Sequence, residues 1–206
     1  AIDYEAYGRL IDWQIDAGVA GLVACGTTGE SATMTDDEDN SVVAAVVKHV
    51  AGRVPVIAGS GSNSTQTMLT KSLTYQGLGA DGLLLITPYY NKSNEEGIYQ
   101  HFKTVADAVD IPCILYNIPG RCGCGISERN VERLAAHPNI MGIKEASGNV
   151  AYAAKIAHLL SDDFRMYSGE DALTVPLMSL GASGTISVWA LSLIHISEPT
   201  RLLSIS

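Results

Sequence analysis

The chain alternates two kinds of segment along most of its length. Polar stretches carry apolar residues at helical spacing, as Tyr7, Leu10, Ile11 and Ile15 do before Gly18. Short runs rich in Val, Ile and Leu follow, each bounded by Gly, Pro or Asn, which is typical of buried strands. The pattern predicts helices over residues 4–17, 35–50, 64–78, 94–109, 127–136, 150–160 and 172–180. It predicts strands over 21–25, 54–58, 82–86, 112–116, 140–146, 164–168 and 184–189.

Strands that alternate with helices indicate βαβ units and a parallel sheet. The strands are apolar throughout, as expected when helices cover a sheet on both faces. Seven such strands fit an α/β fold, a (β/α)8 TIM barrel that is truncated by one strand. Because the chain starts directly on a helix, we expect the first strand to be the absent one, which leaves two unpaired edges. A doubly wound open sheet is the alternative, although no G-x-G-x-x-G follows the first predicted strand.

The last residues break the pattern. After Trp189 the alternation stops, and residues 191–201 resemble the translation of a transposase sequencing adapter. We therefore divide the chain into a partial barrel domain, residues 1–190, and a non-native tail, residues 191–206, which we exclude from fold reasoning. His195 falls in this tail and carries little weight.

Composition narrows the possible functions. The 206 residues include 13 Lys and Arg against 22 Asp and Glu, a formal net charge of -9. This balance argues against a nucleic-acid-binding surface, and no apolar run reaches the ~18 residues of a membrane span. We interpret the four cysteines as reduced thiols of a cytoplasmic protein, because Cys122-Gly-Cys124 is too tightly spaced for an ordinary metal pair.

One predicted strand carries a lysine. Residues 140–148 read I-M-G-I-K-E-A-S-G, with Lys144 in the middle. Desolvation lowers the pKa of an ammonium group and yields a nucleophilic amine that can form a Schiff base with a carbonyl compound. The alternative is a lysine at a strand end whose amine extends to water. Since side chains alternate along a strand, Lys144 should point into the barrel and Glu145 away from it.

Residues at the other strand ends suit the same chemistry. In a (β/α)8 barrel the active site lies at the carboxyl ends of the strands. There the turn G-T-T-G at 26–29 could bind a carboxylate, Tyr116 could transfer protons, and Arg121 could hold a second carboxylate. Each alone could be an ordinary turn, a core tyrosine or a solvated arginine. Together they describe a class I aldolase site.

Four motifs carry a family resemblance: G-T-T-G-E-S, T-P-Y-Y-N-K, Y-N-I-P-G-R and G-I-K-E-A-S-G. In this order they resemble the dihydrodipicolinate synthase family, which belongs with pyruvate-dependent lyases such as N-acetylneuraminate lyase. The match covers residues 1–189 and implies a barrel from which the first strand and a C-terminal helical region are absent. It implies condensation of pyruvate with aspartate semialdehyde in lysine biosynthesis, with no metal or organic cofactor, by a homotetramer.

The resemblance implies catalytic roles for four residues. Lys144 would form the Schiff base with pyruvate while Tyr116 relays protons. Thr28 would link Tyr116 to Tyr90, which in the family enters from the neighbouring subunit.

It also implies a set of binding residues. The backbone amides of Thr27 and Thr28 would hold the carboxylate of pyruvate. Arg121 would hold the carboxylate of aspartate semialdehyde, and Gly169 and Ile186 would line the pocket through their backbones.

The lysine feedback site of the family corresponds to positions Ser31, Ala32, Asn63 and Tyr89. Here the chain departs from lysine-sensitive members. It has Thr67 where they carry a glutamate, and it has Asp36 and Asp39 where some of them carry histidines. The residues that feedback inhibition requires are therefore incomplete.

Two alternative functions stay open. One is a sister enzyme with the same Schiff base and another acceptor, such as N-acetylneuraminate lyase or a sugar-acid dehydratase. Arg121 and Thr28 favour the synthase over it. The other is a catalytically silent α/β scaffold. If one barrel strand is missing and Tyr90 needs a partner subunit, the 206 residues alone should be unstable and nearly inactive.

Overall fold

A computed structural model describes residues 2–192 and the backbone of 202–205. Eight parallel strands form a closed barrel in the order β1 to β8. The strands are β1 Gly21–Ala24, β2 Val56–Gly59, β3 Gly82–Ile86, β4 Cys113–Asn117, β5 Ile140–Glu145, β6 Arg165–Ser168, β7 Gly184–Ser187 and β8 Leu202–Ile205. The helices are α1 Tyr4–Asp16, α2 Asp36–Val50, α3 Thr65–Gly77, α4 Glu95–Ala106, α5 Pro119–Cys122, α6 Glu128–Ala135, α7 Val150–Ile156 and α8 Thr174–Ser179.

The last strand corrects two expectations. Strand β8 lies between β7 and β1, with Leu203 opposite both Ile186 and Gly21. Residues 202–205 thus occupy the position that we expected to be empty, so the expectation of two unpaired edges was wrong, while the division into a barrel domain and a non-native tail stays a prediction. The open doubly wound alternative was wrong as well. Physically, β8 supplies hydrogen-bonding partners to two strand edges that would otherwise be unpaired.

The predicted helix starts are confirmed by their caps. At α2 the Thr35 hydroxyl accepts a hydrogen bond from the Glu38 amide at 3.3 Å, and the Glu38 carboxylate accepts one from the Thr35 amide at 2.9 Å. This reciprocal pair satisfies two amides that lack partners within the helix. At α6 the Ser127 hydroxyl accepts from the Asn130 amide at 3.2 Å. Arg121, expected on a loop, instead lies on the short helix α5.

The core has two parts. The larger cluster packs the helices against the outside of the barrel and includes fully buried Met68, Tyr75 and Phe102. The smaller one fills the barrel interior, and its buried members are Val23, Ile57, Leu84, Ile114, Tyr116 and Ile186. The floor beneath the carboxyl ends of the strands is therefore apolar. Over the described part of the chain, no helix is long and apolar enough to cross a bilayer.

Candidate active site

The sheet register brings one row of residues together inside the barrel. Tyr116 on β4 lies opposite Lys144 on β5, Lys144 lies opposite Tyr167 on β6, and Tyr167 lies opposite Gly184 on β7. Residues opposite one another in a parallel sheet point to the same face. The Lys144 amine lies 4.4 Å from the centroid of the Tyr116 ring. Lys144 and Tyr116 are therefore direct neighbours, as the site prediction requires.

Lys144 is desolvated. The residue is 3% exposed, which excludes the alternative of an amine that extends to water. Burial lowers the pKa of Lys144 to about 7; the nearby Asp171 charge opposes this effect and the Arg121 charge adds to it. Within residues 2–192, no carboxylate forms an ion pair with Lys144. At neutral pH a large fraction of this amine is thus uncharged and nucleophilic.

Tyr116 keeps its proton at neutral pH. It is 7% exposed, and burial raises its pKa to about 12 in spite of the opposing Arg121 charge. A neutral phenol beside an amine can donate a proton and take it back.

A cavity of about 1050 Å³ opens beside Tyr116, while Lys144 lies behind Tyr116 and does not itself line this cavity. Thr27, Tyr90, Tyr116 and Arg121 all line it. Thr28 does not line it, although Thr28 shares the Thr27–Gly29 turn, and in residues 2–192 no hydrogen bond joins Thr28 to Tyr116 or Tyr90. Thr27 is therefore better placed than Thr28 to contact a ligand. Tyr90 is 91% exposed and has a left-handed backbone, with φ of 70°.

Of the two residues predicted to contact the substrate through their backbones, Gly169 lies against the lysine. A Cβ added to Gly169 would come 2.9 Å from Cε of Lys144 and 2.7 Å from Cβ of Ala146, so a larger residue would displace the lysine. Ile186 is fully buried in the barrel interior.

Sequence reasoning gave no role to two residues near the amine. Tyr167 is the register neighbour of Lys144 on β6. The charge of Asp171 raises the pKa of Lys144, and Asp171 Oδ2 accepts from the amides of Val188 and Trp189 at 3.3 and 3.4 Å. The run S-G-E-D after β6 was a signal for an acid at this mouth, but the run alone did not indicate which carboxylate faces the lysine.

The region compared with a feedback site lines the same cavity. Ser31, Ala32, Thr67 and Tyr89 all lie there, and so does Lys71. Asp39 is fully buried beneath, where its Oδ2 accepts from the Lys71 amine at 2.5 Å and from the Ser31 hydroxyl at 2.9 Å. Asp39 is thus already paired within the chain.

The described residues also bear on metal and thiol chemistry. In residues 2–192 no group of three or more His, Cys, Asp and Glu side chains is arranged to hold a metal ion. All four cysteines are free thiols, and burial raises the pKa of Cys25 and of Cys113 to about 12.

The fold and the site together define a class of protein. It is a parallel (β/α)8 barrel with a desolvated lysine beside a tyrosine, and the tyrosine lines a cavity at the carboxyl ends of the strands. The chain belongs to the dihydrodipicolinate synthetase family, whose model matches residues 1–196.

Similar proteins agree with this assignment. A 4-hydroxy-tetrahydrodipicolinate synthase from Pelobacter propionicus is 48% identical over 190 residues, which are 92% of this chain and 66% of that protein. The solved dihydrodipicolinate synthase DapA-2 from Bacillus anthracis superposes with a TM-score of 0.93 at 42% identity, over 96% of this chain and 68% of that one. The chloride-inhibited dihydrodipicolinate synthase from Acinetobacter baumannii, solved with pyruvate, gives a TM-score of 0.90 at 43% identity over 93% and 66%. The chain spans just under two thirds of the length of the curated relatives it matches.

Proposed function

We propose that the protein is a lyase that condenses pyruvate with aspartate semialdehyde to give 4-hydroxy-tetrahydrodipicolinate, as in lysine and diaminopimelate biosynthesis. The proposal rests mainly on the buried Lys144 amine, which has a pKa of about 7 and lies 4.4 Å from the centroid of the Tyr116 ring. The curated relatives named 4-hydroxy-tetrahydrodipicolinate synthase support the choice of substrates.

The chemistry starts at the lysine. The uncharged Lys144 amine attacks the ketone carbon of pyruvate, and the resulting carbinolamine loses water as Tyr116 donates a proton to the departing hydroxyl. The Schiff base then withdraws electrons, so the pyruvate methyl group loses a proton and becomes a nucleophilic enamine. The backbone at Thr27 and Thr28 would hold the pyruvate carboxylate, with Gly169 and Ile186 against the adduct.

The second substrate enters from the cavity. The enamine carbon attacks the aldehyde carbon of aspartate semialdehyde and forms the new carbon–carbon bond, while Arg121 holds its carboxylate. The amino group of the semialdehyde then attacks the imine carbon and displaces Lys144, which closes the ring and regenerates the amine. One water leaves overall. Tyr90 and Thr28 would carry protons between Tyr116 and solvent.

Assembly and location belong to the same proposal. Tyr90 projects from the cavity rim at 91% exposure, as expected of a residue completed by a partner subunit in a homotetramer. Four free thiols suit a reducing compartment such as the cytoplasm.

The test is an acceptor panel with the protein expressed from its complete gene. Pyruvate should be consumed with aspartate semialdehyde at least about a hundredfold faster than with N-acetylmannosamine, because only the former carries the carboxylate that Arg121 would hold. Arg121→Gln should remove most of that preference. Turnover with the sugar and none with the semialdehyde would instead identify a sister lyase.

A further inference from the structure

A second row of polar residues lies directly behind the inward row. Each of its members directly follows a residue of the inward row, and they lie opposite one another on β4 to β7: Asn117, Glu145, Ser168 and Thr185. All four are buried, with exposures of 2% or less. Because side chains alternate along a strand, this row faces the surrounding helices.

Asn117 and Glu145 form a closed set of hydrogen bonds. The Asn117 amide nitrogen donates to Glu145 Oε2 at 2.7 Å, and the backbone amide of Ser147 donates to Glu145 Oε1 at 2.7 Å. Asn117 Oδ1 accepts from the backbone amide of Ile126 at 3.0 Å. Every oxygen of the pair thus has a donor, and one side-chain bond joins β4 to β5.

The position of this bond relates it to catalysis. Asn117 directly follows Tyr116, and Glu145 directly follows Lys144. The β4–β5 register also shifts at Cys113 and Ile114, so the ladder at the start of these strands is irregular. Beyond this shift the register is regular, and the side-chain bond adds a link between the two strands next to Tyr116 and Lys144. A buried glutamate is costly unless its charge is well bonded, and burial raises the pKa of Glu145.

We propose that Asn117 and Glu145 are positioning residues that hold Tyr116 and Lys144 together from outside the barrel. The pair touches neither substrate. It fixes the distance and angle between the amine and its proton donor, on which the rate of Schiff-base formation depends. This inference rests on the proposed function.

Exchanging the amide and the carboxylate group between the two positions tests the positioning role. In Glu145→Gln the new amide group meets the Asn117 amide group, donor to donor, and flipping either amide only moves the conflict to Ser147 or Ile126. In Asn117→Asp two carboxylates face each other. In the double variant Asn117→Asp/Glu145→Gln the new amide donates to the new carboxylate, and both backbone amides keep their acceptors.

The readout separates positioning from loss of folded protein. Trapping with pyruvate and borohydride gives a rate constant, which reports geometry, and an amplitude, which reports the folded fraction. Each single variant should lower the rate constant at saturating pyruvate at least tenfold, with the half-saturating pyruvate concentration within threefold of wild type. The double variant should recover to within threefold of the wild-type rate constant. Thr185→Val, which loses one buried bond of 3.0 Å to the Ser168 carbonyl, should keep the wild-type rate constant.

Three results have distinct meanings. If wild type itself traps no pyruvate, the proposed function fails. If wild type traps but the single variants keep the wild-type rate constant and lose only amplitude, the pair is merely structural and the inference is overturned. A double variant no faster than the slower single variant would overturn it as well.

Discussion

One lysine of the described chain is buried in the barrel and another is partly buried on helix α3, and their surroundings give them opposite properties. Lys144 is 3% exposed and has no ion pair within residues 2–192, and its pKa is lowered to about 7. The Lys71 side chain is 16% exposed, and burial would lower its pKa too. Its pKa is nevertheless raised, because hydrogen bonds and charge attraction to Asp39 and Asp36 outweigh desolvation. Burial alone does not make a lysine nucleophilic. The pKa of the amine falls at Lys144, which has no ion pair within residues 2–192, and rises at Lys71, which is paired with carboxylates.

The largest expected difference between the two lysines appears when the proposed nucleophile is removed. Lys144→Ala should abolish the pyruvate adduct and lower turnover at least about a thousandfold, as expected when a covalent nucleophile is lost. Lys71→Met is the matched control, because the adduct should still form on Lys144 in whatever fraction stays folded. An adduct of wild-type yield in Lys144→Ala would place the nucleophile elsewhere.

Stability should respond most to the other lysine. Lys71→Met leaves Asp39, which is fully buried, without its cation, and should lower the free energy of unfolding at pH 7 by about 3–5 kcal/mol. Urea denaturation checks this. Lys48→Met, at an exposed position on α2, should change stability by less than about 0.5 kcal/mol. Equal small effects in both variants would show that the Lys71–Asp39 pair contributes nothing.

Lys144→Met should raise the free energy of unfolding, in contrast to Lys71→Met, and the size of the increase should depend on pH. Below pH 7 both folded and unfolded chains carry the charged amine, so the whole desolvation penalty opposes folding. The penalty fades as pH rises from about 7 towards the ordinary 10.5, because the folded amine is then neutral. The variant should therefore be more stable than wild type by about 2–4 kcal/mol at pH 6, and the gain should shrink steadily towards pH 10. A gain that is constant with pH would contradict the lowered pKa.

The smallest expected effects come from the two charges near the amine. Asp171→Asn removes a charge that raises the pKa of Lys144 but keeps an oxygen for the Val188 and Trp189 amides. The pH at which trapping is half-maximal should fall, by about half a unit or less. Arg121→Gln should move that midpoint upward by a similar amount. Shifts in the same direction for both variants would show that charge is not the cause.

The sequence predicted those features of the inward site that depend on a single strand. The apolar run around Lys144 left its burial open, and the residues at the other strand ends together favoured it. Strand alternation placed Glu145 on the other face, where it bonds to Asn117. The contact between Lys144 and Tyr116 was harder to predict, because the register shift at Cys113 and Ile114 depends on both strands and is not visible in the sequence of either one.

Contacts between distant segments escaped prediction for the same reason. Asp39 and Lys71 lie on different helices, so the sequence offered only two charges at unrelated positions. Strand β8 was not predicted because residues 191–206 were excluded as an adapter-like tail, and its place is set by the two edges it joins. The exclusion of Thr28 from the cavity depends on the details of a single turn.

The most direct test compares the two lysines in one sample. The protein expressed from its complete gene is incubated with pyruvate, reduced with borohydride at a series of pH values, and digested for mass analysis. We expect one reduced pyruvate adduct on the peptide that contains Lys144, none on the peptide that contains Lys71, and half-maximal labelling near pH 7. Labelling of Lys71, or labelling of Lys144 that keeps rising through pH 9, would contradict this expectation.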